Sequence, residues 1–159
     1  MRGLQAEGGA LTWQPQSAVE LKSGEVRIRV QAAGLNRADL LQKAGMYPPP
    51  PGVTGVLGLE CAGEVVEVAE GSRWQLGDRV CALLAGGGMA EEVVVDQRHL
   101  LPVPDSLSWA EAAAIPEVFS TAWLNIFVLG NARPGEKVLI HAGASGVGTA
   151  AIQLCKAQG

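Results

Sequence analysis

A glycine-rich segment near residue 145 has the spacing of a turn that binds a nucleotide phosphate. The segment from Lys137 to Ala151 reads KVLIHAGASGVGTAA, a short apolar stretch followed by small residues and an apolar helical pattern. Gly143 permits a tight turn, the backbone at residue 145 approaches a pyrophosphate, and Gly148 lets the helix pack closely on the strand. The helix N-terminus then offers unpaired N–H groups to the anion. The segment therefore predicts dinucleotide binding.

The glycine spacing departs from the dinucleotide fingerprint G-x-G-x-x-G at one point, because Ser145 holds the second glycine position. The overlapping series Gly146-x-Gly148-x-x-Ala151 also fits the fingerprint. The alternative interpretation is a glycine-rich turn between a strand and a helix that binds no ligand. A nucleophilic serine is not predicted, since the G-x-S-x-G elbow requires glycine where Val147 stands.

The elements around this segment follow from hydrophobic periodicity. Residues 138–140 predict a buried parallel strand that ends at His141, a structural histidine bonded to the backbone. Residues 149–157 predict a helix with apolar residues on one face. Ahead of them, a capping box at Ser108 predicts a short alanine-rich helix, and residues 118–129 predict a longer one.

The first hundred residues predict mainly β structure. Short strands with short spacing, as in a small barrel or sandwich, are predicted at residues 25–30, 63–68, 78–84 and 90–95. One helix over residues 36–44 has Asn36 as its N-cap and Gly45 as its stop. Asp39 is interpreted as an exposed acid on this helix. The four prolines after Tyr47 predict a stiff, extended loop.

Composition and charge exclude several classes of protein. The chain has 159 residues, of which 48% are hydrophobic, and a formal net charge of −4. Its 12 basic residues are scattered, which argues against binding to nucleic acid or to an anionic membrane surface. No stretch has the ~20 continuous apolar residues of a membrane span, and the N-terminus lacks a signal peptide. Three separated cysteines predict reduced thiols and a cytoplasmic protein.

An ordered series of short motifs covers residues 35–159. The series comprises LNRAD at 35–39, Tyr47 with its prolines, GLECAG at 58–63, GDRV at 77–80, LAGGG at 84–88, AAAIP at 112–116, TA at 121–122, and the segment from His141 to Gly148. In this order the motifs resemble those of the zinc-independent quinone oxidoreductases, a branch of the medium-chain dehydrogenase/reductase superfamily. The proline-rich tyrosine loop and the glycine triplet most resemble the p53-inducible type.

The resemblance implies an α+β fold that leads into an α/β fold. Residues 1–116 are expected to form a GroES-like β-barrel domain. Residues 117–159 are expected to be the truncated start of a Rossmann NAD(P)-binding domain, namely its first β-α unit. In the family the active site lies in the cleft between these domains, and the full-length protein is expected to be a homodimer. The change from strands to helices between residues 105 and 117 agrees with this division.

The presence of catalytic zinc depends on the segment at residues 58–60. Zinc alcohol dehydrogenases of the superfamily carry Gly-His-Glu there, and the histidine binds the metal. This chain has Leu59 at that position, which cannot ligate zinc. We therefore expect no metal site. Cys61 is then interpreted as a small buried residue, and Glu60 as a buried acid paired with Arg37.

Without a metal, hydride passes directly from a reduced nicotinamide to a quinone or a conjugated carbonyl. The resemblance alone implies NADPH, with NADH as the alternative. The sequence does not distinguish them, because the residue that meets the ribose 2′ position is expected ~20 residues past the glycine turn, and eleven residues follow Gly148. Tyr47 is the expected catalytic residue, donating a hydrogen bond to the substrate oxygen. The expected cofactor contacts are Asn36, Thr121, Gly143, Ser145, Gly146, Val147 and Gly148.

Two alternative functions stay open. An enoyl or alkenal reductase of the same superfamily, including the enoyl reductase of a polyketide synthase, shares this part of the chain and differs in its substrate pocket. The other alternative is a truncated, non-catalytic binding or assembly module. It arises because one Rossmann strand with one helix leaves an apolar strand edge unpaired.

Overall fold

The structure, a computed structural model, describes all 159 residues. The chain divides into two compact units, Met1–Ala114 and Ile115–Gly159, which we call unit 1 and unit 2. Unit 1 contains every strand, whereas unit 2 contains only helices and loops. None of the helices combines the length and the apolar composition that a bilayer crossing requires.

Unit 1 is built mainly from strands. They are β1 (Arg2–Glu7), β2 (Ala10–Pro15), β3 (Glu25–Ala33), β4 (Glu60–Val68), β5 (Arg79–Leu83), β6 (Glu92–Asp96) and β7 (Leu100–Pro102). Five of them form one antiparallel sheet in the order β6-β3-β4-β5-β7, and β1 pairs with β2 in a separate hairpin. The pairing of β3 with β6 joins Glu25 to Asp96, which are distant in sequence. The four strands that the sequence predicts are all present.

The core of unit 1 follows from alternation along β3. Val26 and Ile28 are fully buried, whereas Arg27 is half-buried and Arg29 is exposed. The other buried members of this core are Cys61, Val65, Val80, Ala82, Val93, Val95 and Leu100. Burial of one such aliphatic side chain contributes about 1.5–3 kcal/mol to folding. This cluster therefore fixes which face of the sheet is inside.

Two α-helices accompany the sheet, α1 (Arg37–Lys43) and α2 (Trp109–Ala113). The helix α1 follows Asn36 at its N-cap position, and Gly45, with a φ of +73°, lies just past its end. The helix α2 begins with the predicted capping box. There Ser108 N–H donates to Glu111 Oε2 at 2.9 Å, and Glu111 N–H donates to Ser108 Oγ at 3.3 Å. Both predicted helix starts are thus confirmed.

Unit 2 consists of α3 (Pro116–Trp123), a π-helical segment (Leu124–Leu129) and α4 (Gly146–Gln158). The helix predicted over residues 118–129 is therefore longer at its start, where proline fits the first helical position, and it changes to π geometry in its second half. Small residues join α3 and α4, with Ala122, Ala150 and Ala151 all buried. Their size lets the two helix backbones approach closely.

The strand predicted over residues 138–140 is not formed. No strand is assigned there, and Leu139 is 83% exposed. A strand needs a neighbour to pair its backbone N–H and C=O groups, and unit 2 supplies none. The predicted β-α unit is therefore present only as its turn and its helix.

Candidate functional site

The turn before α4 presents backbone N–H groups at a helix N-terminus. Ser145 is the N-cap, and its Oγ accepts a hydrogen bond from Gly148 N–H at 3.0 Å. Its own N–H donates to the carbonyl of Ala142 at 2.9 Å. The N–H groups of Gly146 and Val147 have no acceptor within the chain. These two donors, at the positive end of the helix dipole, are suited to an anion.

The close contact predicted at Gly148 is present. A Cβ at this position would lie 2.7 Å from Gly143 Cα and would also overlap the carbonyl oxygen of Ala142. Only glycine lets the helix start this close to the preceding turn. The turn itself differs from the prediction, because the left-handed residue is Ala142, with a φ of +53°, whereas Gly143 has no positive φ.

A cleft of about 240 Å³ lies beside this turn in unit 2. Thr121, Ser145, Val147 and Gly148 all line it, so the structure brings these four predicted residues together. Asn125 also lines the cleft, and its Nδ2 donates to the backbone carbonyl of Thr121 at 2.8 Å. No pattern in the sequence distinguishes Asn125, because a helical asparagine is usually a surface residue.

His141 is not the buried structural histidine that the sequence predicts. It is exposed and lines the same cleft, and none of the hydrogen bonds in the structure involves its ring. The cause is the missing strand, since burial of His141 depends on a sheet around residues 138–140. Thr121, by contrast, lies on α3 as the helical pattern predicts.

In unit 1, a polar network surrounds the N-cap of α1. Asn36 Nδ2 donates to Glu60 Oε1 at 2.8 Å, and Glu60 is only 2% exposed. The prediction that Glu60 is a buried acid is therefore confirmed, while its pairing with Arg37 stays a prediction. At this helix start the capping box sets the Asn36 side chain toward the N–H of Asp39, which donates to the backbone carbonyl of Asn36 at 3.1 Å. The donor end of the Asn36 amide bonds to Glu60.

Asp39 is only 2% exposed, so the prediction of an exposed acid on α1 is wrong. Its Oδ2 accepts from the backbone N–H of Asn36 at 2.7 Å, and its Oδ1 accepts from the N–H of Gly58 at 3.1 Å. The carboxylate thus ties the start of α1 to the loop before β4. The spacing Asn-x-x-Asp, a variant of the capping box, is the sequence signal that could have identified it.

Tyr47 lies in the loop after α1, and it is 46% exposed. Its hydroxyl makes no hydrogen bond within the chain, so the phenol O–H is available to a ligand. The neighbouring Met46 is anchored through its N–H, which donates to the backbone carbonyl of Leu41 at 2.9 Å. No hydrogen bond joins Tyr47 to Asn36, although both flank α1.

The segment at the start of β4 carries no metal-binding side chain at the position where the zinc enzymes have histidine. Leu59 is 8% exposed and lies among the buried hydrophobic residues. Cys61 is fully buried in the main core, which confirms that it is a small buried residue. Burial, together with the nearby Cys81 and Glu60, raises the pKa of the Cys61 thiol to about 12. Such a thiol is neutral at physiological pH and is neither a ligand nor a nucleophile.

Comparison with known proteins connects both units to one group. Residues 22–105 match the model of the alcohol dehydrogenase GroES-like domain. Among solved structures, the CurK enoyl reductase superposes with a TM-score of 0.90 at 37% identity, over 99% of this chain and 52% of that one. The quinone oxidoreductase from Thermus thermophilus, solved also in complex with NADPH, gives a TM-score of 0.79 at 41% identity, over 100% of this chain and 50% of that one.

A vertebrate relative is the synaptic vesicle membrane protein VAT-1 homolog of Danio rerio. It is 43% identical over 137 residues, which cover 86% of this chain and 28% of the relative. The chain thus spans about half the length of the two enzyme structures and a smaller share of this relative.

Proposed function

Because the chain belongs to the alcohol dehydrogenase GroES-like domain family, within the medium-chain dehydrogenase/reductase superfamily, we propose that its protein is a nicotinamide-dependent oxidoreductase. Its substrate is a quinone or another conjugated carbonyl, reduced without zinc. Residues 1–116 are the GroES-like domain, and residues 117–159 begin a Rossmann domain. A homodimeric assembly and a cytoplasmic location remain predictions.

The observation that carries this proposal is the turn before α4. Two backbone donors, on Gly146 and Val147, have no acceptor, and the position of Gly148 allows no side chain. This arrangement fits a diphosphate, which needs several N–H donors and a close approach of the backbone. Ser145 stabilises the turn by accepting a hydrogen bond from the Gly148 N–H. Gly143 lies directly against Gly148 at the start of α4.

The nicotinamide supplies a hydride when it is bound. We favour NADPH over NADH, since the Thermus thermophilus relative has been solved in complex with NADPH. Thr121 lines the cleft beside the turn in unit 2, and Asn36 lies at the N-cap of α1 in unit 1. Both are proposed to hold the nicotinamide half of the cofactor in a fixed orientation.

Tyr47 is the proposed catalytic residue. Its O–H is unpaired and exposed, so it can donate a hydrogen bond to the carbonyl oxygen of the substrate. Negative charge develops on that oxygen as the carbonyl is reduced, and a donor placed there lowers the barrier. The prolines after Tyr47 stiffen the loop, which limits the entropy lost when the phenol is positioned.

Enoyl reduction is the second candidate function. It is supported by the similarity to the CurK enoyl reductase, which is 37% identical and superposes with a TM-score of 0.90 over 99% of this chain. The two reactions use the same cofactor and differ in the acceptor, which is a conjugated thioester in one and a quinone in the other.

The proposal is tested by titrating the full-length protein with NADPH and NADH while the fluorescence of the nicotinamide is followed. Oxidation of the bound cofactor is then measured with a benzoquinone and with a conjugated enoyl thioester. Saturable binding and turnover of either acceptor support the proposal. Absence of binding to both nucleotides would refute it, and faster turnover of the thioester would favour the second candidate.

The role of Tyr47 is tested by Tyr47→Phe, which removes only the hydroxyl. We expect kcat to fall about 10- to 100-fold, because one donor to the developing oxyanion is lost, while the Kd of the cofactor is unchanged. Phe127→Leu in unit 2 changes an aromatic residue outside the proposed site and serves as the control. An unchanged kcat in Tyr47→Phe would remove Tyr47 from the mechanism.

A further inference from the structure

Glu60 is a buried carboxylate that accepts a hydrogen bond from the side chain of Asn36. The bond from Asn36 Nδ2 to Glu60 Oε1 is 2.8 Å long, and Glu60 is 2% exposed. A carboxylate oxygen accepts hydrogen bonds, and an amide has one donor end and one acceptor end. The bond therefore fixes the orientation of the Asn36 amide, with Nδ2 toward Glu60. Its Oδ1 faces the Asp39 N–H in the capping box, and because an amide oxygen has two lone pairs, one of them stays available to a ligand.

Gly34 makes room for this carboxylate. Its N–H donates to the backbone carbonyl of Glu60 at 3.2 Å, just past the last paired residues of β3 and β4. A Cβ at position 34 would lie 2.6 Å from Cγ and Cδ of Glu60 and closer still to Oε1. Gly34 has no positive φ, so alanine would not strain the backbone there. The conflict would instead be relieved by movement of the Glu60 side chain.

We infer that Glu60 is the positioning residue for Asn36, and that the pair presents a hydrogen-bond acceptor to the bound ligand. This inference rests on the proposed function. The group that fits Asn36 Oδ1 carries an O–H or N–H, such as a ribose hydroxyl or the carboxamide of a nicotinamide nucleotide. A quinone or enone oxygen only accepts, so Asn36 Oδ1 cannot bond to it. Asn36 therefore serves the cofactor, and the donor to the substrate is Tyr47.

Three variants separate positioning from general stability. Gly34→Ala displaces the Glu60 carboxylate while both Asn36 and Glu60 stay in the chain. Gly55→Ala is the matched control, because a Cβ there would meet no atom within 4 Å and its φ is not positive. Glu60→Gln is the conservative variant, since its amide oxygen still accepts the hydrogen bond from Asn36.

The measurement is the Kd of NADPH and NADH in the full-length protein, compared with the Kd of ADP and of its 2′-phosphate. The two fragments lack the second ribose and the nicotinamide. We expect Gly34→Ala to raise the Kd of the whole cofactor about 3- to 10-fold, the equivalent of one hydrogen bond, and to leave the fragments unchanged. Gly55→Ala and Glu60→Gln should bind like the wild type.

A double variant shows whether the effect passes through Asn36. In an Asn36→Ala background, Gly34→Ala should cause no further loss, because the group that Glu60 orients is already absent. An additive loss would overturn the inference, and so would an equal loss for cofactor and fragments or an unchanged Kd in Gly34→Ala. If the wild type binds neither NADPH nor NADH, the proposed function fails first, and the inference fails with it.

Discussion

Replacing Asp39 by alanine removes the acceptor of two backbone N–H groups at once, those of Asn36 and Gly58. A hydrogen bond to a charged group is worth about 1.5–3 kcal/mol, and a buried N–H left without an acceptor costs a similar amount. Asn36 is half-buried, so its N–H regains part of the lost hydrogen-bond energy from water, whereas the bond from the Gly58 N–H is buried. We therefore expect Asp39→Ala to lower the free energy of unfolding of unit 1 by about 3 kcal/mol.

Urea unfolding of the full chain measures this loss. Tryptophan fluorescence reports mainly on unit 1, which holds Trp13, Trp74 and Trp109. With a urea dependence of about 2 kcal/mol per molar, the midpoint should fall by about 1.5 M. Asp39→Asn keeps one carbonyl oxygen and should lose roughly half as much.

The matched control is Asp105→Asn, another aspartate of unit 1. Its side chain is fully exposed and pairs with Arg79 at 3.3 Å, so screening by water makes its removal nearly neutral. If Asp39→Ala unfolds at the same urea concentration as Asp105→Asn, the assignment of Asp39 as a buried anchor of α1 is refuted.

Three further predictions concern the turn before α4 and the thiols. Ser145→Ala should lower the free energy of unfolding by about 1 kcal/mol through loss of the cap, whereas Gly148→Ala should lower it by about 2–3 kcal/mol, because its Cβ meets backbone atoms. Thermal unfolding followed by circular dichroism compares the stabilities of the two variants. A larger loss in Ser145→Ala than in Gly148→Ala would contradict this turn geometry. Burial raises the pKa of Cys61 to about 12 and of Cys81 to about 11, so iodoacetamide should label only Cys155 in the native protein near neutral pH. The two buried thiols stay protonated in the folded state after those of the unfolded chain ionise, so stability should fall as the pH rises above the ordinary value of 9.0, and a flat urea midpoint there would contradict their burial.

Local signals in the sequence predicted the elements well. The capping box at Ser108 and the helix end at Gly45 each depend on residues within one helical turn, so the local sequence determines them. The close packing at Gly148 is likewise set within the turn itself. The strand predicted at residues 25–30 is present as part of β3, and its apolar residues Val26 and Ile28 are buried, because successive side chains of a strand point to opposite faces of the sheet.

The errors concern residues whose environment comes from elsewhere in the chain. Asp39 is buried because Gly58, from the loop before β4, lies against it. The Asn-x-x-Asp spacing indicates the bond of Asp39 to the Asn36 N–H, but it does not indicate this contact with Gly58. The bond between Asn36 and Glu60 also joins residues that are far apart in sequence. Residues 138–140 have the composition of a buried strand, but a strand depends on a partner that unit 2 does not contain.

The pairing of β3 with β6 sets the order in which unit 1 can fold. Residue 25 meets residue 96 in this pairing, whereas residue 26 already meets residue 68 in β4. During synthesis β3 and β4 therefore emerge before β6 exists, and one edge of β3 stays open. Arg27 and Arg29 place two positive charges on that strand, and charges of this kind discourage pairing with a foreign strand. Closing so long a loop costs entropy before any contact compensates for it, so we expect the arrival of β6 to limit the folding rate.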